Sequence, residues 1–308
     1  MGKTVQETTK ASIRRVFRKA LANSVARRGL NSVANAVSWR GKQRLHGAFA
    51  RSMTEGTPGW RVDAEWRIDF AGRTFYAPLR RDDIYLDWAA ALTYLGHDID
   101  EKQTYAAIVR SAAKPSVFLD VGGNYGTHST LMMSHGVEAF YFEPNETCHG
   151  YFEATSARNG FRPHVEPIAL GAAPGSITLR YPRLETWLGS TNAAVADAFD
   201  DPDMVTREVP MRTLDSYCDT LPPGPMVLKI DAEGSEMAIL EGATHLLATR
   251  RPIMLFESHR SIGEREALWD VLDSAGFDIT QHIWPQPALT RDAFLQIEYH
   301  NFLGVPRA

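Results

Sequence analysis

The feature that most constrains this chain is an apolar segment that ends in a glycine-rich turn. Residues 117–126, VFLDVGGNYG, read as a buried strand followed by a turn that opens a helix. A second apolar segment ends at Glu143, 23 residues after Asp120. A strand, a glycine turn, a helix and a second strand ending in an acid describe a βαβ unit that binds a nucleoside.

The residues around the turn favour S-adenosylmethionine over a dinucleotide. The glycines let the backbone approach a ligand, but Asn124 stands where the dinucleotide motif GxGxxG has its second glycine. The negative charge of Asp120 would repel a pyrophosphate, whereas it suits the ammonium group of a methionine moiety. Glu143 is placed to accept hydrogen bonds from ribose hydroxyls. A nicotinamide-dependent oxidoreductase is therefore disfavoured.

The charge of the chain is unevenly distributed. The net charge is −4, yet residues 1–51 hold 12 lysines and arginines against one acid, Glu7, while the other 21 basic and 36 acidic residues give −15. Residues 9–45 read as a basic amphipathic helix. We expect it to pack outside the core or to lie on an anionic membrane surface, and a nucleic-acid arm or an organelle transit peptide are the remaining alternatives. Nucleic acid is not the expected partner, and an oligomer remains open.

Cysteine usage and hydropathy indicate a cytoplasmic protein. Cys148 and Cys218 are far apart and lack disulfide or zinc spacing, which suggests reduced thiols. No apolar run approaches the roughly 20 residues that cross a bilayer, and the N-terminus lacks a secretory signal.

Three regions are expected along the chain. A basic helical extension covers residues 1–55, and a cap over 56–115 contains a hairpin at 66–76 and helices at 81–95 and 101–111. Alternating strands and helices over 116–308 predict a mostly parallel sheet with helices on both faces. The predicted strands are 117–119, 139–142, 165–170, 226–231, 252–257, 276–279 and an antiparallel 299–304, with helices from 127, over 147–159 and over 235–247.

Five motifs in this core resemble the FkbM family of S-adenosylmethionine-dependent methyltransferases. They are FLDVGGNYG at 118–126, FEPN at 142–145, IALG at 168–171, RTLD at 212–215, and LKIDAEGSE at 228–236 with LEGA at 240–243. The resemblance spans about 116–306. It implies a class I methyltransferase (Rossmann-like) fold, a seven-stranded sheet with its last strand antiparallel, and methyl transfer to a hydroxyl oxygen. Family members are similar to enzymes that methylate sugars of glycolipids and polysaccharides, or polyketides.

The resemblance also implies positions for the cofactor. The methionine end would be held around the glycine turn, the ribose by Glu143, and the adenine between the residues after the second and third strands. The implied cofactor residues are Asp120, Gly122, Asn124, Gly126, Thr127, Glu143, Pro144, Asn145, Ala169 and Leu170.

Methyl transfer to an oxygen also needs a base, and four residues at strand ends are candidates: Asp231, Glu233, Glu257 and His259. His259 suits the task by its ordinary pKa, while Asp231 could equally cap the following helix. Asp231 and Glu257 could instead hold a magnesium ion, although nothing in their spacing selects a metal. Lys229 is a candidate for electrostatic support.

A polar loop supplies the candidates for acceptor binding. An aromatic ring flanked by hydroxyl and amide groups suits a sugar, and the candidates are Trp187, Ser190, Thr191 and Asn192. The leading expectation is an O-methyltransferase acting on a sugar hydroxyl in a glycan or glycolipid. A small-molecule O-methyltransferase of secondary metabolism, polyketide-type, and a non-catalytic cofactor-binding module are the alternatives.

Overall fold

The computed structural model describes residues 22–53, 62–80, 91, 94–183, 189–192, 203–258 and 262–307. The chain divides into two compact units. The first comprises residues 1–103 and 157–159, and the second comprises residues 104–156 and 160–308. Within the described ranges, no helix combines the length and the apolar character that crossing a membrane requires.

Two helices and a β-hairpin lie wholly within the described residues of the first unit. These are α1 (Ser24–Ala36), α2 (Trp39–Met53), β1 (Ala64–Phe70) and β2 (Arg73–Leu79). The predicted hairpin is confirmed: β1 and β2 pair antiparallel around Ala71 and Gly72, which both have positive φ, as a tight two-residue turn requires.

The single helix predicted over residues 9–45 is wrong in its described part. α1 ends at Ala36, and Val37 is extended. The Lys42 ammonium donates 2.8 Å hydrogen bonds to the carbonyls of Ala34, Asn35 and Val37, so it satisfies groups that a continuing helix would have used. Residues 1–21 and most of the helix predicted over 81–95 lie outside the described residues.

The second unit alternates strands and helices. Its strands are β3 (Val117–Val121), β4 (Glu138–Phe142), β5 (His164–Glu166), β6 (Ala169–Leu170), β7 (Gly175–Pro182), β8 (Met204–Arg212), β9 (Met226–Ile230), β10 (Ile253–Glu257), β11 (Phe277–Gln281) and β12 (Asn301–Pro306). Its helices are α4 (Thr127–Met133), α5 (Glu146–Asn159), α6 (Glu236–Glu241), α7 (Thr244–Arg250), α8 (Ile262–Ser274) and α9 (Arg291–Gln296). The division between the units falls within the helix α3 (Ile99–Ile108) and within the last turn of α5.

Seven of these strands form one sheet in the order β11-β12-β10-β9-β3-β4-β5. β12 is antiparallel to both of its neighbours, β11 and β10, and the five strands from β10 to β5 in this order pair in parallel. Every residue of β3 and β9, the two central strands, is buried, because layers on both faces of a parallel sheet exclude water. The predicted fold, a mostly parallel seven-stranded sheet with an antiparallel last strand, is confirmed.

Two predicted elements are each split in the structure. The strand predicted over 165–170 becomes β5 in the main sheet and β6 in a separate sheet of order β6-β8-β7, which was not predicted. The helix predicted over 235–247 breaks after Glu241. Asp215 accepts hydrogen bonds from the amides of His245 and Leu246 at 3.0 and 2.8 Å, which starts α7 as a new helix.

Candidate functional site

The candidate site lies where β3, β4, β9 and β10 end. These parallel strands bring their carboxyl ends to one edge of the sheet, the edge at which open α/β sheets bind ligands. β3 and β4 lead into the predicted cofactor residues, and β9 and β10 lead into the predicted catalytic residues.

The turn after β3 is packed so closely at Gly122 and Gly126 that only glycine fits at these two positions. The amides of Gly122 and Gly123 donate to the Phe142 carbonyl at 3.0 and 3.2 Å, which joins the turn to β4. A Cβ at Gly122, where φ is +72°, would lie 1.8 Å from the Asp231 carbonyl oxygen. A Cβ at Gly126 would lie 2.0 Å from the Phe152 ring. The glycines therefore allow β3, β9 and α5 to approach the turn.

Asp120 is fully buried at the end of β3. Its Oδ2 accepts hydrogen bonds from the backbone amide and the hydroxyl of Ser129, at 3.0 and 2.6 Å, in the first turn of α4. The Lys229 ammonium lies 4.0 Å from its Oδ1, for which the described residues provide no hydrogen bond. Burial raises the pKa of Asp120, and the charge of Lys229 opposes that rise. Asp120 thus orients the helix that follows the turn, and its contact with an ammonium group of the cofactor stays a prediction.

Glu143 is the buried acid at the end of β4. Its two carboxylate oxygens accept hydrogen bonds from the amides of Asn124 at 2.9 Å and Asn145 at 2.7 Å. Burial raises its pKa to about 7, against the lowering effect of these two amides. Glu143 therefore holds the glycine turn and the segment after β4 together, and its remaining lone pairs can still accept hydroxyl hydrogens.

The other predicted cofactor residues lie in α4, after β4 and in β6. Asn145 is buried, its Oδ1 accepts from Thr147, and its Nδ2 has no hydrogen-bond partner among the described residues. Thr127 is the first residue of α4, and Pro144 follows Glu143 directly. Ala169 and Leu170 are buried in β6, where they pair with β8.

The carboxylates after β9 and β10 converge as a cluster that we call the acidic cluster: Asp231, Glu233 and Glu257. One oxygen of each lies within 4.8 Å of the others, and all three residues are half-buried. The Lys229 ammonium lies 3.0 Å from Asp231 Oδ2. Burial, followed by the charges of Asp231 and Glu236, raises the pKa of Glu233 to about 7. Carboxylate oxygens at this spacing can hold a divalent cation or move a proton near neutral pH.

The predicted substrate loop meets the turn that carries Glu233. The Ser190 hydroxyl donates to the Glu233 carbonyl at 2.7 Å, and the side-chain Nδ2 of Asn192 donates to the Gly234 carbonyl at 3.0 Å. The Thr191 hydroxyl is 2.7 Å from that of Ser235. Loop and acidic cluster are therefore neighbours. His259 and Trp187, which were also predicted, lie outside the described residues.

Two residues of this edge were missed from the sequence. Glu236 is fully buried, and its Oε1 accepts from the amides of Ala232 and Gly234, which shapes the turn beneath the acidic cluster. His300 pairs with Ser258 through the 2.8 Å bond from the Ser258 amide to the His300 carbonyl. The sequence did contain a signal for His300. The last strand is predicted to be antiparallel, and such a strand begins at the edge of the sheet where β10 ends.

The residues present fit S-adenosylmethionine. Asp120 Oδ1 and Asn145 Nδ2 are buried polar atoms whose hydrogen-bonding capacity is unused by the described residues, and Glu143 can accept from hydroxyls. A divalent cation is compatible with the acidic cluster, because hard cations prefer carboxylate oxygens.

The family model for the methyltransferase FkbM domain matches residues 120–283, more than half of the chain. An FkbM methyltransferase from Methylobacillus flagellatus KT is 16% identical, with a TM-score of 0.42 over 72% of this chain and 55% of that one. A SAM-dependent methyltransferase from Agrobacterium tumefaciens is 9% identical, with a TM-score of 0.42 over 81% of this chain and 72% of that one.

This chain thus spans little more than half the length of the Methylobacillus protein. No curated protein sequence matches it significantly. The family match covers the glycine turn, Glu143 and the acidic cluster, which are the residues that build the site. The chain belongs to the FkbM family of methyltransferases.

Proposed function

We propose that the chain is an O-methyltransferase that methylates a hydroxyl of a sugar in a glycan or glycolipid. One observation carries the proposal: a cluster of three carboxylates, one with a pKa near 7, adjoins a polar loop at the same sheet edge as the cofactor turn. The turn and the cluster are in direct contact, since Gly122 packs on the Asp231 carbonyl.

Each part of the site has a distinct role in this reaction. S-adenosylmethionine, when bound, supplies an electrophilic methyl group. The glycine turn, Glu143 and Asn145 bind and orient the cofactor. Glu233 accepts the proton of the acceptor hydroxyl, because a base works best when its pKa is close to the operating pH. Asp231, held by Lys229, orients the hydroxyl.

A metal-assisted version of the reaction uses the same carboxylates. Asp231, Glu233 and Glu257 would hold a divalent cation such as magnesium, which lowers the pKa of a bound hydroxyl. In this version the acidic cluster binds the cation instead of the proton. His259 stays a further candidate base.

The polar loop favours a sugar as acceptor. Ser190, Thr191 and Asn192 use some of their polar groups on the turn at 233–235, which fixes the loop beside the acidic cluster. Hydroxyl and amide groups at such a position match the hydroxyl pattern of a sugar, and Trp187 would add an aromatic face. A polyketide-type small molecule is the competing acceptor. We also propose that the enzyme works in the cytoplasm without a nucleic-acid partner.

Calorimetric titration with S-adenosylmethionine and with NAD, each with and without magnesium, tests the proposal first. We expect S-adenosylmethionine to bind and NAD not to bind. We also expect the Glu143→Ala variant to lose the binding of S-adenosylmethionine. The matched control is Glu138→Ala, an exposed glutamate at the start of the same strand, which should bind normally. Binding of NAD alone would contradict the proposal.

A screen of soluble sugars, glycolipids and polyketide-like alcohols with radiolabelled cofactor then identifies the acceptor. Methylation of a sugar hydroxyl is the expected result. Methylation of only the small alcohols would establish the competing acceptor class. Cofactor binding without transfer to any of them would favour a non-catalytic module.

A further inference from the structure

The helix α1 is attached to the hairpin by one of its faces. Asn31 and Asn35, one helical turn apart, bind the outer edge of β1. The Asn31 side chain accepts from the Arg67 amide at 2.8 Å and donates to the Arg67 carbonyl at 2.6 Å. Asn35 accepts from the Asp69 amide at 2.9 Å. These bonds fix which face of α1 is turned toward the hairpin.

The opposite face of α1 is apolar and open. At 100° per residue, Val25, Gly29 and Val33 lie on the side away from Asn31 and Asn35, and we call these three residues the outer face. Val25 is 67% exposed and Val33 is 51% exposed, the highest values among large hydrophobic side chains in the described ranges. The outer face contains no charged residue, although the helix belongs to the most basic segment of the chain.

Exposed basic side chains belong to the same segment as the outer face. They include Arg28 in α1, and Arg40 and Arg44 in α2. Residues 1–51 as a whole carry 12 basic side chains against one acid. An exposed apolar helix face within a strongly positive segment is the pattern of a helix that lies in the interface of an anionic membrane.

Two other occupants fit less well. A second copy of the chain would bring two strongly positive segments together, and two valines provide far less area than the roughly 800 Å² per partner of a stable protein interface. Nucleic acid would require positive and hydrogen-bonding groups on the contacting face, which is uncharged here.

We propose that the outer face of α1 docks on an anionic lipid surface, and that the exposed basic side chains of the segment, Arg28 among them, attract it to the negatively charged headgroups. The inference depends on the first unit alone and is independent of the acceptor and of the methyl transfer. In a lipid-bound state, Val25 and Val33 enter the boundary between headgroups and acyl chains, while Asn31 and Asn35 keep the helix attached to β1.

Sedimentation with vesicles tests the proposal on the full chain. The vesicles contain phosphatidylcholine alone, or phosphatidylcholine with about one third phosphatidylserine. We expect binding to the anionic vesicles only, weakening as salt is added. Val25→Ser combined with Val33→Ser should reduce the partition coefficient about tenfold or more, and Arg28→Ser about fivefold.

The control is Arg73→Ser, which removes an exposed charge from the hairpin turn of the same unit and should leave partitioning unchanged. Circular dichroism should show unchanged helix content in all variants. Equal binding to both vesicles, no binding, or full binding by the double valine variant would overturn the proposal. So would concentration-dependent dimerisation that the valine substitutions abolish without any vesicle binding.

Discussion

The two halves of the site use carboxylates in opposite ways. In the half around the glycine turn, which we propose binds the cofactor and call the cofactor half, Asp120 and Glu143 are buried and each already accepts two hydrogen bonds from the protein. In the half around the acidic cluster, which we propose receives the acceptor and call the acceptor half, Asp231, Glu233 and Glu257 are half-buried and lie within 4.8 Å of one another. The comparison teaches that one half is organised in advance to bind, whereas the other concentrates negative charge where a proton or a cation can be taken up.

Gly122→Ala should have the largest effect on stability, because it disrupts the contact between the two halves of the site. The new Cβ would lie 1.8 Å from the Asp231 carbonyl oxygen, and φ is +72°. We expect a loss of more than about 4 kcal/mol in the free energy of unfolding, measured by urea denaturation. Gly136→Ala is the matched control, since Gly136 has φ of +74° and open space around it, and should cost only about 1 kcal/mol. Similar costs for the two would show that the halves are not tightly joined.

Lys229→Met tests whether one buried ammonium serves both halves. Lys229 lies 4.0 Å from Asp120 and 3.0 Å from Asp231. Its removal leaves the buried Asp120 uncompensated, so we expect a loss of about 3–5 kcal/mol in chemical denaturation. Adding Asp120→Asn should restore much of that stability. If the double variant is as unstable as Lys229→Met, then Lys229 does not stabilise the fold by compensating the charge of Asp120.

The raised pKa of Glu143 predicts a pH dependence of stability in the cofactor half. Its folded pKa of about 7 lies above the ordinary 4.5. The stabilising contribution is therefore complete below about pH 4.5 and is lost as pH rises through 7. Between these limits the free energy of unfolding of the wild type should fall by roughly 3 kcal/mol relative to that of Glu143→Gln, whose side chain does not titrate. Parallel pH profiles for the two proteins would contradict this.

Glu233→Gln tests proton transfer in the acceptor half. With a pKa of about 7, Glu233 becomes a base only as pH rises through that value. Once an acceptor is identified, kcat/KM of the wild type should rise with pH to a plateau above about 7. The variant should lose about 100-fold and show no such rise. Glu241→Gln, an exposed glutamate at the end of α6, is the control. A retained pH profile in Glu233→Gln would assign the base to another group.

More of the cofactor half than of the acceptor half could be predicted from the sequence. The turn and its flanking acids lie within one continuous stretch, 117–145, so local spacing predicted Asp120, Glu143 and the glycines together. In the acceptor half, the sequence named Asp231, Glu233 and Glu257 but not their convergence. Glu236 was missed because its role depends on the shape of a single turn, with φ of +48° at Glu233.

What the sequence determined by itself is the order of buried strands, the glycine turn, and the acids that end the strands, because hydrophobic periodicity and turn chemistry are local. The tertiary structure decided which carboxylates meet, that Lys229 lies between Asp120 and Asp231, and that residues 190–192 contact the turn at 233–235. It also raised the pKa of Glu233 to about 7. These properties depend on burial and on distances between segments far apart in the chain, and only the packed sheet sets those distances.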